Sequence, residues 1–183
     1  MKNQQKRILM LGGAYAQIPA IQKAKEMGLY VITCDYLPNN PGHKLADEYH
    51  NIDTTDKEGV LKLAESLNID GIVSYNSEPA ALTAAYVAEY LHLAGHPYEA
   101  IDILIHKDLF RNYLREHGFN TPNLVICSDF EEAYQKCQSL KFPIIVKPVD
   151  SAGSRGISKV MNWEELEKAF NEVLSSSVDA YVD

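Results

Sequence analysis

At 183 residues the chain has room for one or two small domains. With 46% hydrophobic and 23% charged residues it has an ordinary globular composition. A formal net charge of -8 leaves no basic surplus to neutralise a phosphate backbone, which excludes a general nucleic-acid binder. A single nucleotide, which needs only a few local cations, stays open.

The first hundred residues alternate between strand and helix patterns. An apolar run at 8–11 ends at Gly12-Gly13, and Ile18, Ile21, Ala24 and Met27 then recur at helical spacing before Gly28. Residues 30–34 form a second apolar run closed by Asp35, and 36–47, rich in Pro, Asn and Gly, read as a loop. A short strand is predicted at 49–52, a helix on Val60, Leu63, Ala64 and Leu67, and a third apolar run at 71–75. Residues 79–93 read as an Ala-rich helix with Pro79 in its first turn, where proline is tolerated. Such alternation implies a parallel sheet covered by helices.

The pattern changes at Leu93-Ala94-Gly95-His96-Pro97, and the domain boundary is expected between 95 and 105. Residues 106–117 are predicted helical, with Phe110, Tyr113 and Leu114 on one face and Gly118 as the stop. An extended segment covers 124–127. Ser128-Asp129-Phe130-Glu131 fits a capping box for a helix carrying Phe130, Ala133, Tyr134 and Cys137. Asn162 with Glu165 suggests another cap, ahead of Leu166, Ala169, Phe170 and Val173. Residues 180–182 read as the start of a strand.

The stretch FPIIVKPVDSAGSRG, 142–156, carries the most chemistry. An apolar strand ends at Lys147-Pro148, a loop of small residues follows (Ser151, Ala152, Gly153, Ser154, Arg155, Gly156), and a second strand returns. Glycines let backbone N–H groups approach an anion, and successive N–H groups form an anion-binding concavity. Lys147 lies within an apolar segment, where an unpaired charge is costly, so it calls for a ligand or carboxylate partner. Lys107 reads either as a second phosphate contact or as a solvated helix lysine. The loop has a plainer reading as a glycine hairpin, and Arg155 is a phosphate clamp or a solvated tip. The Walker A spacing is absent.

Elsewhere the signals are weaker. Gly12-Gly13 does not open a GxGxxG pattern, since Ala14 and Gln17 occupy the later positions, so NAD or FAD binding is not expected despite Asp35. The glycine pair reads as a tight turn with modest ligand contact. Glu78 is placed either as a ligand contact at a strand's carboxyl end or as a carboxylate favoured by a helix dipole. The six histidines show no metal-ligand spacing, and Cys34, Cys127 and Cys137 read as buried free thiols of a reducing compartment. The basic N-terminus precedes too short an apolar run for a signal peptide, and no run is long enough to span a bilayer, so a cytoplasmic location is expected.

Taken together, His106-Lys107-Asp108 through Arg111 opening a helix, GFNTP at 118–122, FPIIVKP at 142–148 and the loop SAGSRG resemble the ATP-grasp superfamily. Residues 1–100 are similar to the preATP-grasp domain of carbamoyl-phosphate synthase and biotin carboxylase, and 101–183 to the first ATP-grasp subdomain. The resemblance implies an α/β fold, a Rossmann-like parallel sheet followed by a small α+β unit. It implies ATP as cofactor, with Lys107, Lys147 and the backbone of 151–156 on its phosphates and Gly12, Gly13 and Glu78 on the substrate side. It implies carboxylate and amine substrates joined through an acylphosphate. Nothing in 157–183 matches the family's magnesium-binding acids, so magnesium is expected to be supplied by residues absent from this chain. The chain is expected to be the N-terminal part of a ligase, inactive alone. The alternative is a non-catalytic nucleotide-binding or interaction module completed by a partner chain or a homodimer.

Overall fold

The structure is a computed structural model that describes residues 5–149, 156–175 and 180–182. Two compact units divide the chain, Met1–Ile105 and His106–Asp183.

In the first unit, β1 (Arg7–Leu11), β2 (Tyr30–Cys34), β3 (Glu48–His50) and β4 (Gly71–Ser74) form a parallel sheet in the order β3-β2-β1-β4. Leu9 stands beside Ile32 and Ile72, which fixes the register across β2, β1 and β4. The central strands read as continuous apolar runs because both faces are covered. Leu9, Leu11, Ile32 and Cys34 face one layer, formed by α2 (Lys57–Leu67) and α3 (Glu78–Tyr90) through Val60, Ala64, Ala80 and Val87. Met10 and Val31 face the other, where α1 (Ile18–Glu26) contributes Ile21 and Ala24. Asp56 caps α2 by accepting from Gly59 N at 3.0 Å.

A helix not predicted from the sequence, α4 (Tyr98–Ile105), follows Pro97. It is held by α3: Glu89 Oε2 accepts from Tyr98 N at 2.9 Å, and the Tyr86 and Tyr98 rings meet edge-on at 6.2 Å.

The second unit begins with α5 (Lys107–Glu116) and continues through β5 (Val125–Cys127), α6 (Phe130–Lys136), β6 (Ile144–Pro148), β7 (Ser158–Val160), α7 (Trp163–Leu174) and β8 (Ala180–Val182). Its sheet is antiparallel, in the order β5-β8-β6-β7. Val146, Val160 and Val182 pack with Leu166, Ala169, Phe170 and Val173 of α7, so the apolar stripe read at helical spacing is the one that covers the sheet.

Both predicted caps are present, one of them shifted. Asn162 accepts from Glu165 N at 2.9 Å, and Glu165 answers by accepting from Met161 N. At α6 the cap is Asp129 rather than Ser128: Asp129 accepts from Glu132 N at 2.8 Å, and Glu132 accepts from both Ser128 N and Ser128 Oγ. The box is therefore Asp129 with Glu132, one residue later than the sequence pattern suggested, because two acids in succession satisfy the same spacing rule. Lys136, Ser128 N and Ser128 Oγ hold the Glu132 carboxyl down to about 2. All three cysteines are buried free thiols, and burial pushes Cys34 up to about 12.

Candidate functional site

Two groups of candidate residues lie in separate units. In the second unit, β6 and β7 pair antiparallel with Ile144 opposite Val160 and Val146 opposite Ser158, and residues 149–157 connect them. Lys107 is the first residue of α5, and its Nζ donates to Val149 O at 3.3 Å. That bond brings the first candidate lysine to the root of the loop, two residues beyond the second. Ser151, Ala152, Gly153, Ser154 and Arg155 lie outside the described residues.

Lys147 lies in the expected apolar strand and is half-buried there. Strand β6 alternates, with Ile144, Val146 and Pro148 buried and Ile145 and Lys147 half-buried. Strand period two turns Lys147 to the face away from the Phe170 core. Lys159 stands opposite Ile145, is exposed, and therefore shares that face with Lys147. The sequence reading missed Lys159, although the register of a hairpin predicted there would have paired it.

Gly156 closes the loop at φ +70°, and a methyl group added to it would lie 2.9 Å from Pro148 Cγ. The glycine is thus demanded twice, by its left-handed backbone and by the proline ring at the end of β6.

In the first unit the chain leaves β1 for β2 and β3 on one side and later returns to β4 on the other. A crevice of about 580 Å³ opens at this switch point, beyond the carboxyl ends of β1, β2 and β4, where open α/β sheets receive ligands. Gly12, at φ +103°, lines it and ties the strand ends together through Gly12 N to Cys34 O at 2.8 Å. Gly13 is occupied structurally. Its N–H donates to Asp35 Oδ2 at 3.2 Å, its carbonyl accepts from Gly42 N at 2.7 Å, and an added methyl would fall 2.1 Å from the His43 ring.

Asp35 is a buried pin rather than a ribose contact. It accepts from Gly13 N, Leu37 N and Asn40 Nδ2, fixing the loop after β2 onto the turn after β1. Glu78 is exposed at the first residue of α3 and does not line the crevice, although its neighbours Ser77 and Pro79 do. Among the described residues no group of three His, Cys, Asp or Glu side chains is placed to hold a metal, and no helix is long and apolar enough to cross a membrane.

Comparison with known proteins shows what the chain is similar to. The family described as D-ala D-ala ligase C-terminus matches residues 115–183. A formate-dependent phosphoribosylglycinamide formyltransferase of Prochlorococcus marinus subsp. pastoris is 29% identical over 177 residues, 94% of this chain and 44% of that enzyme. The structure of phosphoribosylglycinamide synthetase from Anaerococcus prevotii superposes with a TM-score of 0.71 at 26% identity, over 98% of this chain and 45% of that one. The biotin carboxylase domain of the Hydrogenobacter thermophilus 2-oxoglutarate carboxylase, solved with magnesium ADP and bicarbonate, superposes at 0.78 and 22% identity, over 99% of this chain and 44% of that one. These relatives and fold neighbours are ATP-grasp enzymes, the superfamily that the sequence resembles. It spans less than half the length of these relatives.

Proposed function

We propose that the chain forms the substrate-side domain and the phosphate-binding lysine hairpin of an ATP-dependent carboxylate–amine ligase that works through an acylphosphate. The observation that carries this reading is the Lys107 Nζ to Val149 O contact at 3.3 Å, which draws the lysine of α5 to the base of the loop that follows Lys147. Lys107, Lys147 and the backbone of 151–156 hold the ATP phosphates, with Lys159 adding charge on the Lys147 face. Cations and N–H groups placed there offset the charge that develops as the terminal phosphoryl group moves to a carboxylate. Residues 1–100 act as a preATP-grasp domain, with Gly12 at the floor of the substrate crevice. Gly13 and Glu78 act at one remove, by shaping the turn and by supplying charge at the start of α3.

The reading draws support from a fold neighbour solved with magnesium ADP and from the match of 115–183 to a ligase family. Magnesium supplies the largest compensating charge in such a site, and in this reading it is held by groups other than the described residues. Titration of the isotope-labelled chain with magnesium ATP tests the assignment. The backbone amides of Lys107, Lys147 and Gly156 should shift first, Lys107→Ala or Lys147→Ala should weaken the response, and no ADP should accumulate. Shifts confined to residues 1–105 would refute the lysine assignment, and sustained ADP formation would refute the placing of the magnesium groups outside the described residues.

A further inference from the structure

The second unit holds a pair of thiols that the proposed phosphate site does not use. Cys127 ends β5, and Cys137 opens the short turn Cys137–Ser139 that follows α6. Both belong to the core around Phe170, at 0% and 1% exposure. The two segments are tied side by side. Lys136 Nζ donates to Ile126 O at 3.0 Å, one residue before each cysteine, and the Asp129–Glu132 box fixes the connection between them. The thiols themselves meet, with the Cys127 S–H donating to Cys137 Sγ.

That bond distinguishes the two sulfurs. It holds the Cys137 thiol below its usual range and, together with burial, pushes the Cys127 thiol up. Cys137 is therefore the sulfur that ionises first, and the thiolate is the nucleophile of thiol chemistry. Both side chains are buried, but the residues on either side of each, Ile126, Ser128, Lys136 and Gln138, are exposed. Local opening of α6, a helix of seven residues, is enough to admit a molecule as small as hydrogen peroxide. Cys34 makes the contrast. It is equally buried, its Sγ donates to Ile52 O at 3.3 Å, and its core cluster contains no second thiol.

We infer that Cys127 and Cys137 form an oxidisable dithiol, a redox switch that hydrogen peroxide converts to an intrachain disulfide. The Cys137 sulfur attacks one peroxide oxygen, and the O–O bond breaks. The hydroxide released takes up the proton that Cys137 gave up and leaves as water, with Cys137 now a sulfenic acid. The Cys127 sulfur then attacks the Cys137 sulfur. The S–S bond forms, the S–O bond breaks, and the hydroxyl departs with the Cys127 proton as a second water. The two sulfurs lose two electrons between them, and the peroxide gains them. The bridge closes 127–137 around α6 and pins the turn that leads into β6, the strand of Lys147. This chemistry is independent of the ligase assignment.

Treatment of the 183-residue chain with hydrogen peroxide, followed by catalase, denaturation and alkylation, provides the test. Before alkylation the intact mass should fall by about 2 Da, the two hydrogen atoms of the thiols. Peptide mapping should join Cys127 to Cys137 within one chain and find Cys34 alkylated, and dithiothreitol should restore all three thiols. The thermal midpoint of the second unit, followed on Trp163, should rise on oxidation and fall back on reduction, because the bridge constrains the unfolded chain. Cys127→Ala should leave a Cys137 sulfenic acid that dimedone traps. A wild-type chain that keeps three alkylatable thiols, a bridge between chains or to Cys34, or oxidation of Cys34 ahead of the pair would overturn the inference. An unchanged midpoint in the bridged chain would overturn the switch, and a dimedone adduct at Cys127 in Cys137→Ala would overturn Cys137 as the attacking sulfur.

Discussion

Replacing Gly156 with alanine isolates what the loop closure requires. At φ +70° an alanine adopts the left-handed region at a cost of about 1–2 kcal/mol. Its methyl would also stand 2.9 Å from Pro148 Cγ and 3.3 Å from Cδ. That ring is fused to the backbone of β6 and cannot swing aside, so the hairpin itself must shift, at a further cost of about 1 kcal/mol or more. The stiffer unfolded chain returns about 0.4–1 kcal/mol. The net loss is about 1–3 kcal/mol. Gly118 supplies the control within the same unit: its φ is +74°, and an added methyl meets nothing within 4 Å. Gly118→Ala should therefore show the backbone cost alone. Trp163, the only tryptophan, packs against Phe142 and Tyr134 in the second unit and reports its unfolding by fluorescence. Thermal midpoints should separate by about 4–8 °C for each kcal/mol between the variants, the scaling for a domain of this size. Equal midpoints for the two would refute the claim that Pro148 walls the loop closure.

Three further outcomes follow from the same geometry. Gly13→Ala should destabilise the first unit by overlap with the His43 ring, and His43→Ala should relieve part of that loss, a coupling that a double-mutant cycle on urea midpoints measures. Asp129→Ala should cost about 1 kcal/mol as a lost cap, more than Ser128→Ala, whose hydroxyl only supports Glu132; the opposite order in thermal melts would restore Ser128 as the cap. Glu132 titrates at about 2 against an ordinary 4.5, so its stabilising effect is complete above about 4.5, fades as pH falls, and is absent below about 2. Wild type and Glu132→Gln should accordingly melt apart at neutral pH and together at the acid end.

Much of the fold was legible because local signals agreed with the final packing. The apolar runs ending at Gly12 and Asp35 became inner strands, and the stripe of Leu166, Phe170 and Val173 became the core of the second unit. Helix α4 was hidden because its support is not local: the carboxylate that takes up Tyr98 N belongs to Glu89, on the preceding helix. The exposure of Lys147 follows from a different signal. Its neighbours are apolar, but strand period two assigns alternate residues to opposite faces, and Val146 and Pro148 inside imply Lys147 outside. That information was present in the sequence and required only the correct period.

The crevice marks the opposite limit. Nothing in the string Ala14-Tyr15-Ala16-Gln17 distinguishes Gln17 from a solvated residue at a helix start. Its meaning comes from the carbonyls of Tyr75 and Asn76, 58 and 59 residues further on, which bury the side chain and fix which end of the amide faces inward. Asp35 shows the same dependence. It stands at the end of β2, where a ribose-binding acid would sit, and the missing glycine pattern argues against that role; Gly13, Leu37 and Asn40 take up its oxygens, so the residue is architectural. In both cases hydrogen-bond accounting across the strand ends assigns the role, because a carboxylate met by three donors has little left to offer a ligand and an amide held by two carbonyls is fixed in place.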